Sequence, residues 1–502
     1  MSMLKQCRIT VISCRTLTEK FLILSKARFG GRKSLGIFQA KQYCPSKYTS
    51  MILNPIMLWD LTRVITKWVL CITLSPIFRR SLGQVCKIFF LAALFLSSDR
   101  NYGNYETFYP VIGELNFLAK EGIQIKTADG PVQVHFALAL ILGDNVGINS
   151  LIGMVDSFRA HYFCTGCKEK NENTICQIEE NSALLRNRVN YAEDVRTNNY
   201  SETGVKEECV WNRVYSFHVT EGVAGDPMHD HLEGVCHFDF CIIIQQCIAK
   251  GYFTLNSLNA RILCFDYGCH DIRSRPPMIR QEHLDKGKLH FSAAEMMCFT
   301  TIFGLLMGDK VPEDEPGWRL YILLKETLDI VLAPSVLEGS SDLLEALIRE
   351  HHSLLVEQFK VNLKPIHHFS VHYPRLMTQF GPPRHFWCMR YEGKHRPLKQ
   401  IANATTSRRN LPYTVALKHQ LQLNARLMSN KGLESEVKSG PSSELPRHSL
   451  NRVRHLNFLL KTDKVFHVPW VEISGSRYVR NASVLVISIC KTKDLPIFAK
   501  VK

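Results

Sequence analysis

The sequence predicts an α/β protein whose mixed-sheet core is interrupted by an all-helical insertion and flanked by basic, poorly ordered ends. An apolar strand pattern covers residues 132–143 and ends just before Asp144. Helical periodicity then dominates residues 292–360, and an aromatic and basic segment around Glu392 follows it. Because this order places helices between two acid-bearing segments, we expect the helical block to be inserted within the sheet domain.

Charge is concentrated at both ends of the 502-residue chain, which is long enough for two or three domains. Residues 1–100 carry 16 Lys and Arg against 3 Asp and Glu, and residues 451–502 carry 10 against 3. The rest is close to neutral, so the net charge of +16 belongs to the ends. Basic ends favour sequence-independent contact with phosphates, although solvated ends without a partner would carry the same charge.

Residues 1–75 show no clean periodicity, so no element is predicted there. The first predicted element is a helix further along the chain. Within residues 109–122, the apolar side chains of Val111, Leu115 and Leu118 fall on one helical face. This spacing predicts a helix that buries one side against the sheet.

A strand follows over residues 132–143, where every even-numbered residue is large and apolar. The pattern ends at Gly143, so Asp144 is expected at the carboxyl end of the strand. Residues 146–158 then predict a short helix.

The next segments alternate between loop and helix. Residues 170–210 are polar and rich in Asn and Glu, which predicts a long loop. Asp226 followed by Pro227 predicts a helix start, because Asp is a favoured cap and Pro suits the first helical position. Apolar periodicity continues that helix to Gly251.

The helical block contains three predicted helices, and the chain after Pro365 is predicted to be loop-like. The helices cover residues 292–307, 318–333 and 341–359. Residues 430–450 have the Ser, Glu, Lys and Pro composition of a linker. These patterns divide the chain into a divergent basic start, the first part of the core, the insertion, the core return segment, and a linker with a basic tail. Their bounds are 1–75, 76–285, 286–385, 386–429 and 430–502.

Three acidic residues stand out by context, namely Asp144, Asp226 and Glu392. Phosphodiester chemistry with two metal ions needs hard oxygen ligands that converge from separate parts of the chain. Each acid also has a simpler interpretation. Asp144 could be a turn residue, Asp226 a helix cap, and Glu392 a surface partner of Lys394 or Arg396.

The 17 cysteines have no repeating spacing, which is typical of buried thiols in a reducing compartment. Cys164 and Cys167 form a C-x-x-C pair, which is half of a zinc site. Cys209 and His218 lie at positions that could complete it, and two buried thiols without metal is the alternative. The histidines at 351, 352, 367, 368 and 372 are expected to pack at helix ends and in loops, without a metal.

Two apolar stretches, 64–78 and 88–98, are shorter than a bilayer span. Lys67, Arg79 and Arg80 interrupt them. We therefore expect no membrane association.

Residues from about Pro76 to Leu421 resemble the CACTA (En/Spm-like) DNA transposase family, in its arthropod and cnidarian branch. The segments that carry this resemblance include HFALALILGDNVGINSLIGMVDSF, AHYFCTGCK, DPMHDHLEGVCHFD, LKPIHHFSVHYPRLM and FWCMRYEGKHRPLKQIANATTSRRN. They occur in collinear order over roughly two-thirds of the chain, which is more specific than any single motif.

The resemblance implies an RNase H-like core, an Asp-Asp-Glu triad and an Asp-x-x-His signature. Asp226 and His229 match the signature, Glu392 matches the last acid, and Asp144 is the candidate for the second acid. Asp144 and Glu392 would then bind Mg²⁺ or Mn²⁺, and the family's recurrent cysteine pair favours Zn²⁺ at Cys164. The resemblance also implies double-stranded DNA as partner, a nuclear location and a possible homo-oligomer.

The sequence departs from the family upstream of Pro76. The resemblance implies a first acid there, within a Tyr-Gln-Asp-x-Phe-Glu motif, but the only Asp of the segment is Asp60, in the unrelated context LWDLTR. We therefore expect a transposase homologue that is catalytically incomplete and N-terminally divergent. The alternative is a non-catalytic DNA- or chromatin-binding module derived from a transposase.

Overall fold

The computed structural model shows a mixed α/β protein that is mostly helical. The residues it describes are 10–11, 48–60, 68–75, 89–95, 97–127, 130–393, 395–407, 409–429, 437–444, 466–473, 476–480, 484–490 and 495–500. The chain forms two compact units, one of residues 1–265 and 274–425, the other of residues 266–273 and 426–502.

One seven-stranded mixed sheet lies at the start of the first unit. Its strands are β1 (Thr10–Val11), β2 (Tyr48–Asp60), β3 (Trp68–Ser75), β4 (Phe89–Phe95), β5 (Ile123–Thr127), β6 (Gly130–Leu138) and β7 (Ile141–Gly143). The strand order is β1-β4-β3-β2-β6-β5, and β7 also pairs with β2. Strands β2, β3 and β4 form an antiparallel meander, whereas β6 and β7 run parallel to β2. The sheet therefore includes strands from before residue 75, where the sequence showed no pattern.

The predicted strand over 132–143 is split into β6 and β7. The register along β2 pairs Leu53 with Leu138 and then Ile56 with Ile141. Pro55 lies between these paired positions, and a proline has no backbone N–H to donate to a neighbouring strand. The missing donor gives a physical reason for the interruption.

The helix predicted over 109–122 is α1 (Asn104–Lys120), which packs on the sheet. Its buried residues, including Phe108, Val111 and Leu115, join Val134 and Phe136 of β6 in one apolar cluster. This packing fixes the sheet from which Asp144 emerges.

The segment predicted as a loop over 170–210 instead contains short helices. In this region the helices after α2 (Asn145–Ile152) are α3 (Asn171–Thr174), α4 (Arg188–Thr197) and α5 (Tyr200–Thr203). The asparagines that suggested a loop act as helix caps. Asn187 accepts hydrogen bonds from the N–H groups of Val189 and Asn190, and Asn199 accepts one from Ser201.

The helix predicted to start at Asp226 is a π-helical turn, Met228–Val235, that continues into α6. The helices that follow are α6 (Cys236–Ala249), α7 (Leu255–Cys264), α8 (Gly268–Asp271), α9 (Gln281–Asp285), α10 (Ala293–Met307), α11 (Pro316–Val331), α12 (Ser340–Glu357), α13 (Pro365–Ser370), α14 (Tyr373–Phe380), α15 (Met389–Glu392), α16 (His395–Asn403) and α17 (Leu411–Met428). Short 3₁₀ turns lie at Ser97–Tyr102, Ser182–Leu184, Val210–Arg213, Ile272–Ser274 and Pro383–His385.

The histidine-rich segment after Pro365 was predicted to be a loop and is helical. Pro365 and Pro374 stand in the first turns of α13 and α14, where a missing N–H costs nothing. The return segment around Glu392 is also helical, and Glu392 is the last residue of α15.

The second unit contains α8 and short antiparallel strands, although a poorly ordered tail was expected. The strands are β8 (Val437–Ser439), β9 (Ser443–Glu444), β10 (Phe466–His467), β11 (Trp470–Ile473), β12 (Ser476–Val479), β13 (Val484–Cys490) and β14 (Leu495–Lys500). They form the sheets β8-β11-β12, β9-β10 and β13-β14.

Candidate functional site

Asp144 stands where β7 ends and α2 begins. Its Oδ1 accepts a hydrogen bond of 2.6 Å from the N–H of Gly147, so it caps α2. Partial burial raises the pKa of Asp144, and the negative charges of Glu392 and Asp226 add to the rise, whereas the Gly147 hydrogen bond and His229 oppose it. The local role of Asp144 is therefore that of a helix cap rather than a turn residue alone, and the same carboxylate also interacts electrostatically with the other two acids.

Asp226 is fully buried and its carboxylate is fully engaged. Oδ1 accepts hydrogen bonds from the N–H groups of Met228 at 3.2 Å and Cys388 at 2.7 Å. Oδ2 accepts from the N–H of His229 at 3.4 Å and contacts its ring Nδ1 closely. Asp226 thus caps the π-helical turn, ties it to the segment before α15, and orients the imidazole of His229.

His229 stands between acids that come from different parts of the chain. Its Nε2 lies 3.3 Å from Oε1 of Glu392 and 4.0 Å from Oε2 of Glu233. Burial of the ring disfavours its charge, but hydrogen bonds to Asp226 and Glu392 raise the pKa of His229 to about 11. At neutral pH the ring is therefore an imidazolium held among carboxylates.

The structure brings Asp144, Asp226 and Glu392 together around His229, although a long helical block separates the last acid from the first two. Glu392 pairs with His229, and no ion pair joins it to Arg396 among the described residues, which exclude Lys394. The ligand atoms of Asp226, His229 and the buried Cys388 lie within 4.8 Å of one another. Since Asp226 is saturated by its donors, we interpret these three as a hydrogen-bonded group.

A fourth acid belongs to the same sheet edge by its backbone position. In the parallel pairing of β2 with β7, Leu58 is opposite Gly143. Asp144 is one residue beyond that pair and Asp60, the last residue of β2, is two residues beyond it. The carboxyl ends of adjacent parallel strands meet at one edge of a sheet, so Asp60 and Asp144 end neighbouring strands at that edge. Its sequence context alone gave no sign of this.

A second group of side chains consists of two cysteines and two histidines. The ligand atoms of Cys164, Cys167, His368 and His372 all lie within 4.8 Å of one another, and all four residues are buried. Nε2 of His372 lies 3.3 Å from Sγ of Cys164, and Nε2 of His368 lies 3.4 Å from Sγ of Cys167. Sulfur and nitrogen ligands around a tetrahedral zinc ion are about 3.5 Å apart by bond geometry. The donor set and its spacing therefore fit a metal such as zinc.

The outer nitrogens of both histidines have partners that orient the rings. Nδ1 of His368 contacts Oε1 of Gln177 at 2.8 Å, and Nδ1 of His372 contacts Oε2 of Glu180. Such contacts hold the Nε2 atoms toward the sulfur atoms, as is usual for histidines that bind metals. Burial disfavours the charged form of His372, but Cys164 and Glu180 raise the pKa of this ring to about 9.

The expectation of Cys209 and His218 as the remaining zinc ligands was wrong. The side chain of Cys209 packs in the apolar cluster of the sheet, beside Trp211, and Nδ1 of His218 contacts the hydroxyl of Thr220. His368 and His372, which were expected to bind no metal, belong to the cysteine and histidine group that could hold one. The signal that could have found them is the His-x-x-x-His spacing itself, which brings His368 of α13 and His372, just before α14, to the same pair of cysteines.

The other histidines of that segment have structural partners. Asp239, fully buried on α6, accepts from Nε2 of His351 at 2.8 Å and contacts Nε2 of His367 at 3.2 Å. Burial opposes ionisation, but the two histidines hold the pKa of Asp239 below its usual range. This buried group joins α6, α12 and α13, as the packing interpretation expected for these two histidines.

One helical stretch, Met228–Ala249, is long and apolar enough to cross a membrane. More than half of its most apolar window is buried inside the protein, which a core helix would also show.

Comparison with known proteins finds no family model that matches the chain and no curated protein that matches it. The geometry of the two groups therefore carries the functional argument.

Proposed function

We propose that the chain is a DNA transposase homologue of the CACTA type, with an RNase H-like core and Asp-Asp-Glu chemistry. The observation that carries the proposal is that Glu392 contacts His229, while Asp144, at the end of β7, interacts electrostatically with both. Acids from separate chain segments meet at the carboxyl end of a strand, as a divalent-cation site for phosphodiesters requires. The antiparallel meander beside a parallel strand supports the proposed core.

In this proposal Asp144 and Glu392 hold Mg²⁺ or Mn²⁺, and Asp60 is the candidate for the first acid because its backbone ends the neighbouring strand β2. A pair of such ions would stabilise the charge that develops on the attacking and leaving oxygens of the phosphodiester. Asp226 has no free oxygen for an ion, so it acts by positioning His229. His229 in turn holds Glu392 and offsets the repulsion among the carboxylates.

The cysteine and histidine group is proposed to hold Zn²⁺ as a structural ion. Glu180 and Gln177 come from the polar segment after Cys167, and they reach the histidines of α13 and α14. Zinc would therefore tie that segment to the helices that precede Glu392. Double-stranded DNA as partner, a nuclear location and a homo-oligomer follow from the family resemblance.

The test is metal-dependent nicking of duplex DNA that carries candidate element ends, with Mg²⁺ and with Mn²⁺. We expect Asp60→Asn, Asp144→Asn and Glu392→Gln each to reduce the rate at least about 100-fold, since each removes one charged ligand. The exposed Glu338, far along the chain from these acids, provides the matched control as Glu338→Gln. Cleavage that survives Glu392→Gln would rule out the assigned site.

One observation favours the alternative, a non-catalytic DNA- or chromatin-binding module. The imidazolium of His229 already pairs with both Glu392 and Asp226, and a cation would compete with it for Glu392. If His229 keeps Glu392, the chain binds DNA but does not cleave it with Mg²⁺ or with Mn²⁺. Calorimetric titration with Mn²⁺ separates the two functions, because the module would show no binding that depends on Asp144 and Glu392.

A further inference from the structure

A chain of buried hydrogen bonds begins directly beside the cysteine and histidine group. Tyr373 follows His372 in sequence and opens α14. Its hydroxyl donates a hydrogen bond of 2.7 Å to Oδ2 of Asp230, and both side chains are fully buried. His372 and Tyr373 therefore share the start of α14, and the hydroxyl of Tyr373 is fixed on Asp230.

The same chain ends directly beside the acids. Oδ1 of Asp230 accepts a hydrogen bond of 2.6 Å from the side-chain amide of Asn145. Asn145 is the first residue of α2 and follows Asp144, whose own carboxylate is fixed on the N–H of Gly147. Asp230 thus links the start of α14 to the backbone that carries Asp144.

The packing around this chain leaves little room for independent movement. A Cβ atom at Gly225 would lie 2.8 Å from Oδ2 of Asp230 and 3.2 Å from the hydroxyl of Tyr373, so only glycine fits there. The ring of His231 packs edge-on against Tyr373, with centroids 5.0 Å apart. A tightly packed link of this kind transmits a displacement better than a loose one.

We propose that Tyr373, Asp230 and Asn145 couple the two groups, so that zinc at the cysteine and histidine group strengthens cation binding at Asp144 and Glu392. This coupling rests on the proposed function of both groups. Zinc fixes His372, and hence the start of α14, in the position that lets Tyr373 hold Asp230. Asp230 then holds Asn145 and the strand end, so less freedom is lost when Asp144 binds an ion. The coupling is reciprocal, so the divalent cation also tightens zinc binding.

The experiment measures the dissociation constant of Mn²⁺ by its electron paramagnetic resonance signal, on the full chain with zinc bound and after zinc removal by a chelator. In the wild type we expect removal of zinc to weaken Mn²⁺ binding about five- to tenfold, within the usual range of coupling between sites. In Tyr373→Phe the ratio of the Mn²⁺ dissociation constants without and with zinc should fall close to one, because the hydroxyl that transmits the effect is absent. Readdition of zinc should restore the wild-type affinity.

Tyr321→Phe is the matched control, since Tyr321 is also buried and its hydroxyl contacts the backbone N–H of Gly304 and the carbonyl of Thr300. This variant loses a buried hydroxyl within the helical insertion and should keep the wild-type ratio. If Tyr373→Phe retains the full ratio, the hydrogen-bonded chain is not the route and the inference is wrong. If Tyr321→Phe abolishes the ratio as well, general loosening explains the effect and the inference is equally wrong.

A second pair of variants covers the case in which zinc removal unfolds the protein. With zinc bound, Asn145→Ala and Tyr373→Phe should each weaken Mn²⁺ binding. The double variant should bind Mn²⁺ with the affinity of whichever single variant binds it less tightly. Additive effects would overturn the coupling while leaving the cation site in place. Zinc-loaded wild type that binds no Mn²⁺ would instead remove the proposed cation site, and the coupling with it.

Discussion

Oε1 of Glu392 lies 3.3 Å from Nε2 of His229, and the opposite ring nitrogen of the same histidine contacts Asp226. One imidazole therefore joins the π-helical turn Met228–Val235 to α15, although more than 150 residues separate them along the chain. Because both ring nitrogens contact carboxylates, the protonation state of His229 should affect the stability of the protein.

Substitution of His229 by Asn should destabilise the protein most at low pH. Hydrogen bonds to Asp226 and Glu392 raise the pKa of His229 to about 11, above its ordinary value of 6.5. The stabilisation by the charged ring is therefore complete below about pH 6.5 and is lost as pH rises toward 11. Urea unfolding should show His229→Asn about 2 kcal/mol less stable at pH 6, with a smaller difference at pH 9.

The exposed His161 provides the control, as His161→Asn. Its free energy of unfolding should stay within about 0.5 kcal/mol of the wild type at both pH values. A difference for His229→Asn that grows as the pH is raised would contradict the charged state of this ring.

Purified protein should contain zinc in a ratio of about one ion per chain, as a four-ligand site predicts. Cys164→Ser and His372→Ala should lose this zinc and lower the melting temperature by about 5–10 °C, because the metal stabilises only the folded state. Plasma emission spectrometry and differential scanning calorimetry measure the two quantities.

The controls are Cys209→Ser and His218→Ala, since neither side chain belongs to the metal group. Both variants should keep their zinc, although Cys209→Ser replaces a buried thiol and can lower stability by itself. Loss of zinc in His218→Ala with retention in His372→Ala would reverse the ligand assignment.

Substitution of Asp239 by Asn should cost about 3–5 kcal/mol at pH 7, because two buried histidines then lose their carboxylate partner. The pKa of Asp239 is held below its ordinary value of 3.8, so the stabilisation is present above that pH and falls as the solution becomes more acidic. Denaturant unfolding at pH 7 and at pH 3 should therefore show a smaller penalty at pH 3. Asp314→Asn, at an exposed loop position, should have little effect at either pH.

Binding of duplex DNA should weaken steeply with salt. For six phosphates neutralised, the slope of log K against log salt concentration is about −5. Changing the four lysines nearest the C-terminus to Gln should make this slope shallower by up to about 3.6. These lysines are Lys491, Lys493, Lys500 and Lys502.

The control changes four exposed lysines of the near-neutral middle of the chain to Gln. These are Lys250, Lys286, Lys310 and Lys360. Fluorescence anisotropy at several salt concentrations should show the slope of the wild type for this control. Equal slopes for both sets would mean that the C-terminal end does not contact phosphates.

The sequence by itself determined the elements whose signals are local. Spacing along one face predicted α1 and the long helices of the insertion, and Asp226 with Pro227 predicted the helix start that Asp226 indeed caps. These elements can be predicted from the sequence because helix periodicity and capping depend only on residues a few positions apart.

The tertiary structure alone decided which distant residues meet. His368 and His372 join Cys164 and Cys167 because α13 and α14 pack on the segment after the cysteines, and no spacing between those segments encodes that contact. Likewise Asp60 reaches the edge beside Asp144 only through the parallel register of β2 with β7. Strand pairing and helix packing depend on apolar surfaces contributed by the whole chain, so they set the sites that local patterns leave undetermined.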